Sequence, residues 1–498
     1  MDLRPKEKLT EGEVQTGLRL VIYDGLTTEA MTALTGGTFL VAIALLIGAS
    51  NFQIGLLAAL PTLTNIFQLL SIWLVRHYNN RRGVSVICST LARLPLIAAA
   101  AVIFFFPSVN LLLFFLFFYY FFSSISGPSW NSWMKDLVPE KTLGSFFSRR
   151  GSYSQTLNVI ISLTLALVID YIKDRHPEYE LSTYALMFAV GGFIGLVGTY
   201  ILSRTPEPRS ERIKENIFLL LKRPLQDKNF RRLLAFNSIW IFAINLATPF
   251  FIVFLLQGMH LALSYIIGLT VISQLCSIFT IRIWGRFADR YSNKTIIGIC
   301  APLYILCIIG WCFVGIYSDL LRNMILLVTI YIFTGISTAG INLSLTNIGL
   351  KLAPKDQAIV YLSAKNIVTS FFSSVAPLIG GLLADYFLHR RLDITIQWNG
   401  PHLNKIFRLL QLHEWNFLFA IGAILAFISL EFLVRVKEEG EVEKDVVVRI
   451  MRSSIKNNLK EAFVIGQLIS WPEQIWGFIR RKKIREKHDP STPQTKRE

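Results

Sequence analysis

Twelve apolar stretches, each long enough to cross a bilayer, limit what this chain can fold into more than any other feature. They run approximately over 24–48, 53–75, 84–106, 110–134, 152–171, 182–203, 232–257, 262–283, 295–317, 323–347, 360–386 and 414–436. Crossing a hydrocarbon core of about 30 Å takes roughly 20 helical residues at about 1.5 Å each. With 53% of its 498 residues hydrophobic and 17% charged, the chain also carries more apolar surface than one soluble core could hide. The expected fold class is an all-α polytopic membrane protein with twelve transmembrane helices.

A net charge of +17 would suggest nucleic acid in a soluble protein, but its placement argues otherwise. An even number of spans puts both termini on one side, and 41 of the 50 Lys and Arg fall on that side, counting Arg232, Arg282 and Lys365 near the adjoining span ends. Seven lie opposite (Lys173, Arg175, Arg322, Arg390, Arg391, Lys405 and Arg408), and Arg93 and Arg435 lie within spans. The positive-inside rule then places both termini in the cytoplasm, and no nucleic-acid partner is expected. Cys88, Cys276, Cys300, Cys307 and Cys312 all fall in spans without CxxC spacing, which supports neither a disulfide framework nor a zinc site. Met1–Tyr23 lacks the apolar core of a signal peptide, so insertion is expected to rely on the first span.

The chain repeats itself at an offset of 215 residues. WMKDLVPEKTLGSFFSRR (133–150) lies over IGLKLAPKDQAIVYLSAK (348–365), so that Leu137 meets Leu352, Pro139 meets Pro354 and Ser148 meets Ser363. Asp170, closing the fifth span, meets Asp385, closing the eleventh. Gln155, Asn158 and Ser162 correspond to Ser370, Ser373 and Pro377, each set on one helix face. Two pseudo-symmetric six-helix bundles are therefore expected, 24–203 and 232–436, after a cytoplasmic N-terminus 1–23. The charged segment 204–231 is read as a cytoplasmic linker with some amphipathic helix at 213–221, and 437–498 as a basic cytoplasmic tail.

Between the eighth and ninth spans the chain reads GRFADRYSNK. This resembles the loop signature of the major facilitator superfamily, with Gly285, Asp289, Arg290 and Lys294 at the matching positions. The glycine would let two helix ends approach, and the carboxylate and bases could pair across them. The resemblance implies twelve helices in two halves, secondary transport, and a conformational latch at these four residues. In the first half Trp73 aligns with Trp284, but Leu74 and Tyr78 replace the glycine and aspartate, and RHYNNRRG keeps only the basic part. TPEPR (205–209) faintly resembles a mark of sugar porters, and the subfamily stays open.

Arg93 lies nine residues past Val84, about 13 Å into the membrane, where an arginine costs about 2.5–3.5 kcal/mol on translocon scales. It must face protein or a wet cavity, either as an anchor for an anionic solute or as half of a structural ion pair. Glu29, the one acid clearly inside a span and away from its ends, is its candidate partner and the candidate for proton coupling. A residue at a helix start that still reaches water is the plainer alternative. Gly36 and Gly37 mark the middle of the same span, where small residues allow close packing or local unwinding. A solute-binding cavity would draw further on Asn65, Gln68, Trp130, Asn131, Gln155 and Asn158 in the first half. The second half offers Asn245, Gln274, Thr338, Asn342, Asn366 and Ser370. Any one of these could equally bind helices together. The aromatic run FFLFFYYFF (114–122) reads as packing, with Tyr119 and Tyr120 ranked below Arg93.

In the tail, Trp471, Trp476, Phe478 and Ile479 beside RRKKIREK (480–487) suggest an interfacial helix drawn to anionic lipid, against a simply solvated tail. All seven histidines fall in loops or tails, so no membrane-embedded His/Asp pair or His metal cluster is available, and neither enzyme activity nor a cofactor or metal is expected. The function expected is secondary active transport of a small solute by alternating access, with proton coupling open. Arg93 favours an anionic or zwitterionic solute. The alternatives are a transporter-like receptor or scaffold, or a lipid or drug exporter of the same fold. A monomer in a bacterial cytoplasmic (inner) membrane is expected.

Overall fold

The computed structural model describes residues 6–7, 9–139, 142–209, 222–316, 319–354, 358–399 and 404–438. The expected linker helix at 213–221 and the tail beyond 438, with its interfacial helix and lipid contact, lie outside the described residues. Among the described residues, twelve helical segments are long and apolar enough to span a membrane. The helices are α1 (Glu11–Thr35), α2 (Gly37–Leu46), α3 (Asn51–Leu63), α4 (Gln68–Tyr78), α5 (Arg81–Phe105), α6 (Val109–Leu137), α7 (Leu143–Arg175) and α8 (Glu180–Ser203). After the short α9 (Lys222–Gln226) follow α10 (Lys228–Val253), α11 (Leu263–Arg290), α12 (Asn293–Trp311), α13 (Leu320–Lys351), α14 (Ala358–Phe387) and α15 (Asn416–Val434).

Two spans are broken. The first divides at Gly36, which is extended, and Gly37, whose φ of +57° suits glycine, so of the two roles open to the paired glycines the structure shows unwinding. The second contains Pro61 and a 3₁₀ turn at Thr64–Phe67, so α3 and α4 form one span with an irregular middle. Several helices outrun their apolar cores. The first begins at Glu11 rather than 24, set by a capping box in which Thr10 and Glu13 satisfy each other's N–H groups. The segment 387–413, expected as a loop, instead forms an antiparallel hairpin of β1 (Arg391–Asn399) and β2 (Asn404–His413), with a bulge at Ile394/Thr395.

On the side where α1 begins and α15 ends, called here the terminal side, each half is stapled by a carboxylate that follows its last helix. Glu207 of TPEPR accepts from the N–H groups of Arg81 and Arg82, both at 3.0 Å, and from Arg81 Nε. Glu438 accepts from Asn293 N (3.2 Å), Lys294 N (2.7 Å), Asn293 Nδ2 (2.9 Å) and Lys351 Nζ (3.2 Å). Both carboxylates sit where the orphan N–H groups and positive dipole end of a helix, α5 or α12, need an acceptor. Contacts between the two halves gather instead on the opposite, far side, where α14 lies along α3 and α11 meets α7 and α2. The terminal-side segments α1 and α4 pack chiefly within their own half.

Candidate functional site

The first half buries a cluster of charges that its glycines make room for. Arg93 stands at the midpoint of α5, nine-tenths buried, and its Nε has no hydrogen-bond partner among the described residues. Its electrostatic neighbours are Asp24 on α1 and Tyr119 on α6. Asp24, also buried, lies 3.8 Å from Arg150 Nη2 on α7. Arg150 Nε donates to the Val21 carbonyl at 3.1 Å, and its guanidinium lies over the Trp130 ring at 5.0 Å. A Cβ on Gly25 would come within 2.6 Å of Arg150 Nε, and one on Gly195 within 2.7 Å of Arg93 Cγ and 2.5 Å of Met31 Sδ. These two bare backbones let the arginines cross α1 and α8.

Glu29 is not the partner expected for Arg93. Its Oε1 accepts from Asn158 Nδ2 on α7 at 2.8 Å, and Arg150 is its charged neighbour. The reason is helical phase: five residues at about 100° each turn Glu29 roughly 140° away from Asp24, so the two acids address different neighbours. Asn158 and Trp130, two of the residues expected to line a cavity, thus lie against Glu29 and Arg150.

The remaining predicted residues divide by environment. Asn131, Gln155, Gln274, Asn342 and Asn366 are exposed within their spans, and none of their side chains has a hydrogen bond among the described residues. Exposed amides at such depth are better served by water than by lipid. Gln68 Nε2 donates to Asn65 Oδ1 at 3.0 Å beside the break in the second span. Asn245 and Thr338 turn back to their own helices, donating to the Ile241 and Thr334 carbonyls at 2.9 and 2.8 Å. Ser370 is half-buried.

The latch residues are also rearranged. α11 continues to Arg290, so the expected loop is the helix end and only Tyr291–Ser292 connects it to α12. A Cβ on Gly285 would meet only Leu343 Cδ2, at 3.8 Å, so no close approach there requires glycine. Arg290 lies over the Tyr291 ring, and Lys294 is engaged within its own half through its N–H to Glu438 and its Nζ to the Val434 carbonyl. Asp289 lies on α11, its side chain outside the described residues. The aligned tryptophans differ: Trp284 is buried and donates to the Ile336 carbonyl, whereas Trp73 is exposed and stacks on His77.

In the sequence Asp24 has no role beyond the start of a span, and Arg150 and Lys365 fall among the many bases of the terminal side. Lys365 lies inside α14, where its Nζ donates to the Leu345 carbonyl at 2.7 Å. The 215-residue offset sets Arg150 over Lys365, a signal that two bases hold equivalent places in α7 and α14.

The geometry agrees with what the chain is similar to. Solved structures share its fold: the nucleoside transporter NupG (TM-score 0.62, 14% identity, 85% of this chain and 100% of that one). So do a D-xylose-proton symporter (0.58, 14%, 86% and 100%) and a POT family transporter in complex with 5-aminolevulinic acid (0.60, 14%, 87% and 98%). No curated protein matches the sequence. The family model described as Major Facilitator Superfamily matches residues 26–377, which take in the breaks in the first and second spans, Arg93 and Arg150 of the buried cluster, and most of α14. This chain, with twelve membrane-length helical segments among its described residues, is a transporter by family and not an enzyme, and belongs to the Major Facilitator Superfamily.

Proposed function

We propose that the protein is a secondary active transporter that carries a small anionic or zwitterionic solute across the membrane by alternating access between the first six and last six helices. The observation that carries this reading is Arg93: a guanidinium at the middle of a span, nine-tenths buried, with an Nε that no group among the described residues satisfies. Asp24 supplies countercharge to Arg93 and Arg150, so the cluster tolerates these charges while a solute is absent. A solute carboxylate would supply the hydrogen-bond acceptors that Asp24 does not. Glu29, half-exposed and held by Asn158, is the site proposed for the coupled proton.

The exposed amides on α6, α7, α11, α13 and α14 supply the polar lining of the path. With the terminal side cytoplasmic, as the charge distribution favours, the far-side contacts correspond to a state closed to the outside. GRFADR, at the terminal end of α11, is the segment proposed to latch when the terminal side closes. A thermal-shift screen of small carboxylates and amino acids on the purified protein tests the assignment. A stabilising compound should lose its effect in Arg93→Ala and keep part of it in Arg93→Lys. Equal stabilisation of Arg93→Ala would exclude Arg93 from the site.

A further inference from the structure

Two carboxylates at the far side each reach out of their own half to cap a helix of the other. Asp170, near the end of α7, accepts from Leu263 N (2.9 Å) and Ser264 N (2.8 Å) in the first turn of α11. Asp385, near the end of α14, accepts from Asn51 N (3.2 Å) and Phe52 N (3.0 Å) in the first turn of α3. The aspartates are 215 residues apart and the helices they cap begin 212 apart, so one arrangement occurs twice, related by the exchange of halves. Charge-assisted bonds to orphan N–H groups are among the stronger ones available, and each carboxylate also meets the positive dipole end of the helix it caps.

We propose that Asp170 and Asp385 form a far-side latch that holds the two halves together in the state seen here and is broken whenever the far side opens. α11 shows why this is more than local trim: its own N-cap, Ala262, offers no side-chain acceptor, so separating the halves leaves the helix uncapped. α3 differs, because Ser50 already accepts from Gln53 N. The α3–α14 seam is instead closed by backbone contact. A Cβ on Gly55 would fall 2.2 Å from the Pro377 carbonyl oxygen, and one on Gly381 within 2.7 Å of the Asn51 carbonyl oxygen. Trp415 Nε1 adds a buried bond to Asn51 Oδ1 at 2.9 Å, again across the halves. The two seams therefore share their carboxylates but not their reserves, and the α7–α11 seam depends more heavily on its aspartate.

The latch rests on the alternating-access reading, and hydrogen–deuterium exchange on the full chain in nanodiscs separates the two. Asp170→Asn and Asp385→Asn each keep one acceptor oxygen, and Asn caps helices about as well as Asp, so the fold is retained while the charge is lost. Asp170→Asn is expected to speed exchange at the start of α11 about tenfold and also to speed it at the start of α3, the distant seam. Asp385→Asn should do the same to both seams, more weakly. Faster exchange confined to the helix that lost its own cap would overturn the latch, as would no change at either seam. If both seams loosen while terminal-side amides keep their exchange rates, the latch stands and alternating access fails.

Discussion

Arg93 could be found from sequence because its cost is visible there: a charge at the middle of an apolar run must be explained. Its surroundings could not. Asp24 and Arg150 look like ordinary helix-boundary charges until the helices are seen to extend past their apolar cores, which draws both residues inside the bundle. Glu29 was legible as an intramembrane acid, yet its choice of Asn158 over Arg93 depends on which way α1 is turned, and composition does not report that. Gly25 gives the most direct test of this packing. In Gly25→Ala the added methyl must displace the Arg150 guanidinium, and we expect a loss of about 1–3 kcal/mol in unfolding of the purified protein. At the coupling site, Glu29→Gln should abolish the response of transport to an imposed proton gradient while leaving counterflow of solute, measured in proteoliposomes.

At the scale of elements, the staples that follow the sixth and twelfth spans explain a motif whose meaning was hidden in the sequence. TPEPR could be noticed only as a resemblance. In the structure its glutamate pairs with Arg81, both side chains almost fully buried, and caps α5. The basic residues surviving in RHYNNRRG are therefore partly committed to holding the first half together. Glu207→Ala removes the acceptor of two N–H groups of α5 and one of the two carboxylates on Arg81, with Asp136 left to pair with it, and should cost about 1–3 kcal/mol, read by denaturant unfolding. Glu438 makes the matching staple. Burial alone would raise its pKa, but the N–H groups of Lys294 and Asn293, the Asn293 amide and Lys351 outweigh burial and hold it below the ordinary carboxylate range. A carboxyl group with a depressed folded-state pKa contributes stability that is present above its unfolded value, about 4.3, and is lost as pH falls through the folded value. Thermal unfolding followed from pH 7 downward should thus show an acid limb that shrinks in Glu438→Gln. An unchanged limb would assign the loss to other groups.

Across the whole molecule, the count of spans and the equivalence of halves were legible because length, hydropathy and an internal offset are properties of the chain itself. Asp170 and Asp385 align at that same offset. Their partners are backbone N–H groups, which carry no side-chain identity for a sequence to display. The hairpin at 391–413 was missed for a different reason. Leu392, Ile394, Ile396 and Trp398 do alternate with polar residues, but the hydropathy of the two flanking spans defines the segment only as their connection. The account as a whole stands on solute crossing the membrane through the Arg93 site. Uptake of labelled amino acids and small carboxylates into proteoliposomes, driven by a proton gradient, measures this directly. We predict saturable uptake of at least one such solute, lost in Arg93→Ala at equal levels of folded protein. No uptake of any member by the unaltered protein, or uptake unchanged in Arg93→Ala, would contradict it.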